Sequence, residues 1–371
     1  MRVSDLAPRL LLGPGPSPVS ERIRDAMAHP TLGHLDPQFL ALLDDVNARL
    51  RLVFGTRNRT TFPVSGTGSA GMEAAMVNLI GRGDTVLVGV NGVFGTRLAE
   101  MARRMGAEVV TIEAPWGEIL PEDRLIEALQ EHPSARLLAV VHAETSTGVR
   151  QPLAEVGAWL RERETLLVVD AVTSLGGIPV EVDAVGIDVC YSGTQKCLGV
   201  PPGLAPITFS DRALERIRTR PDAPGSWYLD VSLIAGYLGS ERRYHHTAPI
   251  NLIYALHESL VEIGEEGLEA RFQRHAEAGS LLREALAERG FSPYAQEGYR
   301  LPQLTSVHLP DGIEEGPLRR RLLDDHGIEV GGGLGPAAGK IWRIGLMGEG
   351  ARRSSVDRLV SAVDSLLEED G

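Results

Sequence analysis

Leu166-Leu167-Val168-Val169-Asp170, four aliphatic residues closed by a carboxylate, decides the architecture of this chain. A short apolar run with no polar alternation reads as a strand buried on both faces, and such strands belong to parallel sheets covered by helices on both sides. Working outward, strand-length runs recur at 60–65, 85–90, 108–112, 136–142, 165–170, 187–192 and 205–209, with helix-period segments between them. Met72, Ala75, Met76, Leu79 and Ile80 mark one such helix face, which Gly81-Arg82-Gly83-Asp84 ends with turn chemistry. The pattern predicts an α/β domain on a mainly parallel seven-stranded sheet. Beyond Gly267 it turns to long helices with fewer strands, at 268–289, 317–326 and a last helix whose face is Val356, Leu359, Val360, Val363, Leu366 and Leu367. The expected organisation is an N-terminal arm over 1–16 with no core of its own, a large domain over 17–266 and a smaller α+β domain over 267–371, with a long connecting helix at 250–263.

A chain of 371 residues, 43% of them hydrophobic, exceeds the usual one-core size of about 100 to 200 residues, in keeping with two domains. The formal net charge of −13 argues against nucleic acid or an anionic membrane as partner, because both need a basic surface. No stretch approaches the roughly 18 apolar residues of a membrane span, and Met1-Arg2-Val3-Ser4-Asp5 lacks the basic-then-apolar layout of a secretory signal. Glu368-Glu369-Asp370-Gly371 is not a peroxisomal address, so the expected compartment is the cytoplasm. Cys190 and Cys197 form neither a CxxC pair nor a zinc set and read as reduced thiols. The negative charge also sets a condition: an anionic ligand must be met by a few placed arginines, lysines and backbone amides.

The chemistry-bearing residues follow the strands. Asp170 closes one strand, and Lys196 lies in Ser192-Gly193-Thr194-Gln195-Lys196 after the next. Pyridoxal 5'-phosphate needs both groups, an amine to form a Schiff base with its aldehyde and a carboxylate beside its ring nitrogen to keep that nitrogen protonated. Gly66-Thr67-Gly68-Ser69-Ala70-Gly71, between a strand and a helix, would converge backbone N–H groups on a phosphate. It also matches the dinucleotide fingerprint GxGxxG, which expects an acidic residue at the end of the second strand to hold a ribose. That strand ends at Val90-Asn91, and Asp84 lies before it, so the phosphate half of the signal survives and the ribose half fails. Phe94, in Asn91-Gly92-Val93-Phe94-Gly95, reads either as a core ring or as one stacked on a flat cofactor. The hydroxyls of His142-Ala143-Glu144-Thr145-Ser146-Thr147-Gly148 are placed to bond a phenolic oxygen; His142 and Glu144 have metal-pair spacing but no third ligand, so no metal is expected.

Taken in order, Gly13-Pro14-Gly15-Pro16, Ser65-Gly66-Thr67-Gly68, Asn91 to Gly95, Glu144-Thr145-Ser146-Thr147-Gly148, Val169-Asp170-Ala171-Val172-Thr173-Ser174, Ser192 to Lys196, Tyr244-His245-His246-Thr247 and Trp342-Arg343-Ile344-Gly345 resemble the class V aminotransferases, within them the alanine–glyoxylate and serine–pyruvate group. The resemblance covers nearly the whole chain. It implies a fold-type I transferase using pyridoxal 5'-phosphate, with Lys196 as Schiff-base lysine and proton carrier, Asp170 on the pyridinium nitrogen and Val172 under the ring. Phe94 stands where the family usually has a tryptophan, and Thr145, where relatives often have serine, would reach the phenolic oxygen. The phosphate would fall to Thr67, Gly68, Ser69 and Gln195, with Ser69 standing where relatives often carry histidine. Tyr244 and Thr247 would reach the phosphate of a neighbouring subunit, which implies a homodimer with composite sites.

Arg343 resembles the arginine that holds the substrate carboxylate, for which a planar fork suits two parallel hydrogen bonds. Gly15 would lie in a loop closing over a small substrate. The implied reaction is ping-pong transfer of an amino group from alanine or serine to glyoxylate or pyruvate. Aminotransferases of aminoethylphosphonate or of pyridoxamine with pyruvate stay open as alternatives, and a nicotinamide-dependent oxidoreductase rests on GxGxxG alone. A cysteine desulfurase needs a mobile cysteine, whereas Cys190 sits in a predicted strand and Cys197 directly follows the lysine.

Overall fold

The computed structural model describes residues 1–238 and 242–370. All seven predicted runs form strands of one sheet: β1 (Thr60–Ser65), β2 (Thr85–Val90), β3 (Glu108–Glu113), β4 (Leu137–Val141), β5 (Leu166–Asp170), β6 (Val189–Tyr191) and β7 (Leu204–Phe209). Their spatial order is β1-β7-β6-β5-β4-β2-β3. Neighbours from β6 to β3 are parallel, while β7 runs antiparallel to both β6 and β1. The reversal follows from the connection. Residues 192–203 contain no helix, and a parallel crossover needs a dozen or more residues, usually helical.

Both faces of this sheet are buried, which is why its strands read as unbroken apolar runs. Leu138, Val140, Leu167 and Val169 enter one core and their neighbours Leu137, Ala139 and Val168 enter another, so successive residues supply opposite faces. The helix predicted after the first strand is α1 (Gly68–Leu79), with Met72, Ala75, Met76 and Leu79 buried, and Gly81 N–H bonds Asp84 Oδ2 at 2.6 Å beyond its end. Gly71 sits where α1 presses on the sheet: a Cβ there would meet the Ala205 Cβ at 3.0 Å and the Tyr191 Cβ at 3.2 Å. After β2 comes α2 (Val93–Arg104).

A second, four-stranded sheet joins Ser292–Pro293, Leu304–His308, Ile341–Gly345 and Gly331–Gly332 in that order. With helices Leu268–Ala287, Glu315–His326 and Arg353–Asp370 it surrounds a separate core that includes Leu282, Trp342, Ile344, Leu359 and Val363. The N-terminal residues belong to this core too. Leu10–Leu11 pairs in parallel with Ile328–Glu329, and Leu12 is fully buried among the same residues. Helix Ile250–Glu266 runs beside Glu21–Ala28, and Arg22 reaches Glu258 and Glu265 across the contact.

Candidate active site

Parallel strands that share a direction end on one edge, and the turns beyond those ends form a crevice. Asp170 closes β5 and pairs in register with Tyr191 of β6. Its Oδ2 accepts the Tyr191 hydroxyl at 2.8 Å and its Oδ1 accepts the Val172 amide at 2.9 Å. Burial pushes the carboxyl up to about 6, against the lowering effect of those two donors. Lys196 follows β6 and is 7% exposed, with Nζ donating to the Pro14 carbonyl. Burial lowers this amine to about 8, and the nearby Arg343 cation works in the same direction.

The backbone around Lys196 is held from two sides. Ser17 Oγ donates to the Lys196 carbonyl at 2.7 Å and Arg271 Nη2 to the Cys197 carbonyl at 2.7 Å. Gly15 has φ +110°, and a Cβ on it would stand 2.7 Å from Lys196 Nζ, so only glycine leaves the amine its place. The two thiols are spent on packing: Cys190 and Cys197 are both fully buried, and burial pushes Cys197 up to about 12.

A cavity of about 200 Å³ opens between these groups and the start of α1, lined by Thr67, Gly68, Ser69, Met72, Phe94, Arg97, Asp170, Val172, Gln195 and Lys196. Thr67 is the N-cap of α1, yet its side chain makes no capping bond, which leaves the hydroxyl and the first amides of the helix for a ligand. Gln195 Oε1 is buried without a partner. A Cβ on Gly68 would meet Val172 Cγ2 at 3.1 Å, so the turn and the valine define a narrow slot.

Beside the cavity, Glu144 organises the loop after β4. One carboxylate oxygen accepts the Phe94 and Gly95 amides at 3.1 and 3.3 Å, and the other accepts the Ser146 amide and hydroxyl at 3.0 and 2.5 Å. It thus caps α2, whose own N-cap, Gly92, has no side chain to offer. Burial raises the Glu144 carboxyl, while these four donors favour its ionised form. Thr145 Oγ1 lies 2.6 Å from Thr173 Oγ1, and its carbonyl accepts Arg343 Nη1 at 3.2 Å. Arg343 Nε donates to the Gly332 carbonyl at 2.8 Å, leaving Nη2 without a protein partner among the described residues. Arg343 is 7% exposed, unlike an ordinary strand arginine on a protein surface.

The structure therefore brings Thr67, Gly68, Ser69, Phe94, Asp170, Val172, Gln195 and Lys196 to one cavity, with Gly15 touching the lysine and Thr145 and Arg343 joined at its side. Tyr244 and Thr247 are not in it. They are exposed and paired with each other, Tyr244 Oη 3.4 Å from Thr247 Oγ1, on the surface where His246 Nε2 meets Ser65 Oγ at 2.7 Å. Tyr191, Met72, Arg97 and the capping role of Glu144 were not anticipated. Only the register of β5 with β6 places Tyr191 on Asp170, whereas Arg97 stands one turn after Phe94, a spacing that was visible.

These features fit pyridoxal 5'-phosphate: an amine near neutrality for the aldehyde, a buried carboxylate for the ring nitrogen, a slot for a flat ring and a helix start with an idle hydroxyl for phosphate. Comparison with known proteins agrees. The aminotransferase class V family model matches residues 19–358. A solved alanine–glyoxylate aminotransferase from Nostoc sp. superposes with TM-score 0.97 at 51% identity, covering 99% of this chain and 97% of that one. An alanine–glyoxylate aminotransferase of Drosophila melanogaster is 39% identical over 97% of this chain and 92% of its own length. A (S)-ureidoglycine–glyoxylate transaminase of Bacillus subtilis is 37% identical over 97% of this chain and 90% of its own. The chain, an α/β protein of fold type I, belongs to the class V aminotransferases.

Proposed function

We propose that this aminotransferase uses pyridoxal 5'-phosphate to move the amino group of a small L-amino acid, alanine or serine, to glyoxylate or pyruvate. The observation that carries the reading is the convergence of the Lys196 amine, the Asp170 carboxylate and the α1 N-terminus on one cavity. When bound, the cofactor supplies an electron sink for the charge left when a substrate Cα–H bond breaks. The chain supplies the rest. Lys196 would hold the aldehyde and would carry the proton at the substrate Cα, a task suited to an amine lowered to about 8. Asp170, kept in place by Tyr191 and the Val172 amide, holds the proton on the ring nitrogen.

Phe94 and Val172 would hold the ring between them, Thr145 would serve the phenolic oxygen, and Thr67, Gly68, Ser69 and Gln195 would hold the phosphate. Arg343 clamps the substrate carboxylate, and the Gly15 turn limits the space for a side chain. Donor and acceptor share one carboxylate clamp, so they bind in turn and the kinetics are ping-pong. The proposal includes a cytoplasmic homodimer in which Tyr244 and Thr247 serve the other subunit's phosphate; their exposure in the single chain supports it. It also includes the division into an arm over 1–16, a large domain over 17–266 and a small domain over 267–371, supported by the separate cores. Among the described residues no helix is long and apolar enough to cross a membrane.

The relative acting on ureidoglycine supports a second donor class with the same acceptor, glyoxylate. The visible spectrum of the cofactor-loaded protein tests both. The band should bleach on addition of L-alanine or L-serine and return with glyoxylate, and Lys196→Ala should show neither change. If only ureidoglycine bleaches it, the donor assignment moves to that class. If no amino compound does, the proposed substrates fall, and if no cofactor is taken up, the proposal falls entirely.

A further inference from the structure

The phosphate end of the cavity has a charge deficit. A phosphate monoester carries close to two negative charges at neutral pH. Thr67, Ser69 and Gln195 are neutral donors, and a helix N-terminus contributes only about half a charge. The whole chain, at net −13, repels an anion unless a cation stands close by. Among the described residues lining the cavity, the cations are Lys196 and Arg97. Lys196 is turned to the Pro14 carbonyl and is assigned to the aldehyde.

Arg97 remains. It stands three residues after Phe94 on α2, so both side chains share a helix face. The guanidinium carbon lies 4.9 Å from the centre of the Phe94 ring, and Nη1 lies 3.5 Å from Ser69 Oγ on the first turn of α1. The arginine thus bridges from α2 to the helix start that faces the expected phosphate. Both partners are neutral, and no carboxylate pairs with it among the described residues. A cation held by neutral neighbours at an anion-binding turn keeps its charge available to the ligand.

We propose that Arg97 is the cationic member of the phosphate subsite, reaching over the Thr67–Ser69 turn to bond the phosphate of pyridoxal 5'-phosphate. This rests on the cofactor reading above. The test is equilibrium binding of two probes, pyridoxal 5'-phosphate and pyridoxal, which lacks the phosphate, to the cofactor-free full-length protein and its Arg97→Gln and Arg97→Lys variants.

Arg97→Gln should weaken pyridoxal 5'-phosphate by about tenfold or more, leave pyridoxal unchanged and flatten the salt dependence of phosphate-ester binding. Arg97→Lys should recover much of the loss because it keeps the charge. If Arg97→Gln binds the phosphate ester as the unchanged protein does, the proposal is wrong. Equal weakening of both probes also overturns it, reducing Arg97 to a prop for Phe94. An unchanged protein that binds neither probe defeats the cofactor reading and this proposal with it, whereas normal uptake with an indifferent variant defeats the Arg97 assignment alone.

Discussion

Replacing Asp170 by Asn keeps the shape of the side chain and deletes its charge, and the structure predicts that the cofactor-free protein becomes more stable while losing its activity. Asn Oδ1 still accepts the Val172 amide, and its Nδ2 meets a Tyr191 hydroxyl that turns from donor to acceptor. What disappears is the cost of holding a buried carboxylate ionised. The rise from 3.8 to about 6, at 1.36 kcal/mol per tenfold change in proton affinity, amounts to about 3 kcal/mol. The sign follows from the direction of the shift. Below the unfolded value both states hold the proton and no penalty exists; it grows as pH rises toward 6, where the folded state gives up its proton, and is constant above. Urea unfolding of cofactor-free protein should therefore show Asp170→Asn more stable by up to about 3 kcal/mol at pH 8 and by roughly half of that at pH 5. Turnover should fall by at least about a hundredfold, because an amide cannot hold the ring nitrogen protonated. A variant no more stable than the parent at pH 8, or a gap that does not shrink at pH 5, would refute the assignment of a buried, ionised Asp170.

Three further outcomes are expected. Arg343→Lys should raise KM for amino and oxo acids by about tenfold to a hundredfold with a smaller change in kcat, since a lysine cannot form the two parallel bonds; steady-state kinetics with both substrates check this. Glu144→Gln should lower stability by about 1–3 kcal/mol in urea unfolding, because one side-chain NH2 must then face amides that the carboxylate accepts. Cofactor capture needs Asp170 ionised and Lys196 neutral, so its rate should climb through pH 6 and again through pH 8. Stopped-flow absorbance would show it, and a rate flat across that interval contradicts the lowered lysine.

The strands of the large sheet were legible because burial on both faces removes polar alternation, and the crevice residues were legible because they follow strand ends. What the sequence did not disclose is spatial rather than chemical. The antiparallel placement of β7 depends on the helix-free connection over 192–203, which carries the lysine. The capping role of Glu144 was hidden because two of its four donors are the backbone amides of Phe94 and Gly95, some fifty residues earlier, and amides leave no mark in a sequence. Tyr191 was read as one more strand residue, although its hydroxyl is the donor that positions Asp170. Arg343 owed its assignment to resemblance alone; its burial comes from strand Ile341–Gly345 lying between Leu304–His308 and Gly331–Gly332. The arm seemed to have no core, and it has none of its own, because Leu12 is buried in one built by residues near the other end of the chain.

That arm couples two parts of the molecule mechanically. The Leu12 carbonyl accepts the Gly345 amide of the small sheet at 2.8 Å, and two residues later the Pro14 carbonyl accepts from Lys196. Two residues of fully drawn chain span only about 7 Å, so the segment has little slack to take up. A shift of the small sheet against the large one would therefore be passed along this short belt to the lysine. A displacement there would draw the Pro14 carbonyl away from the amine, so the resting contact of Lys196 would answer to a point well outside the crevice.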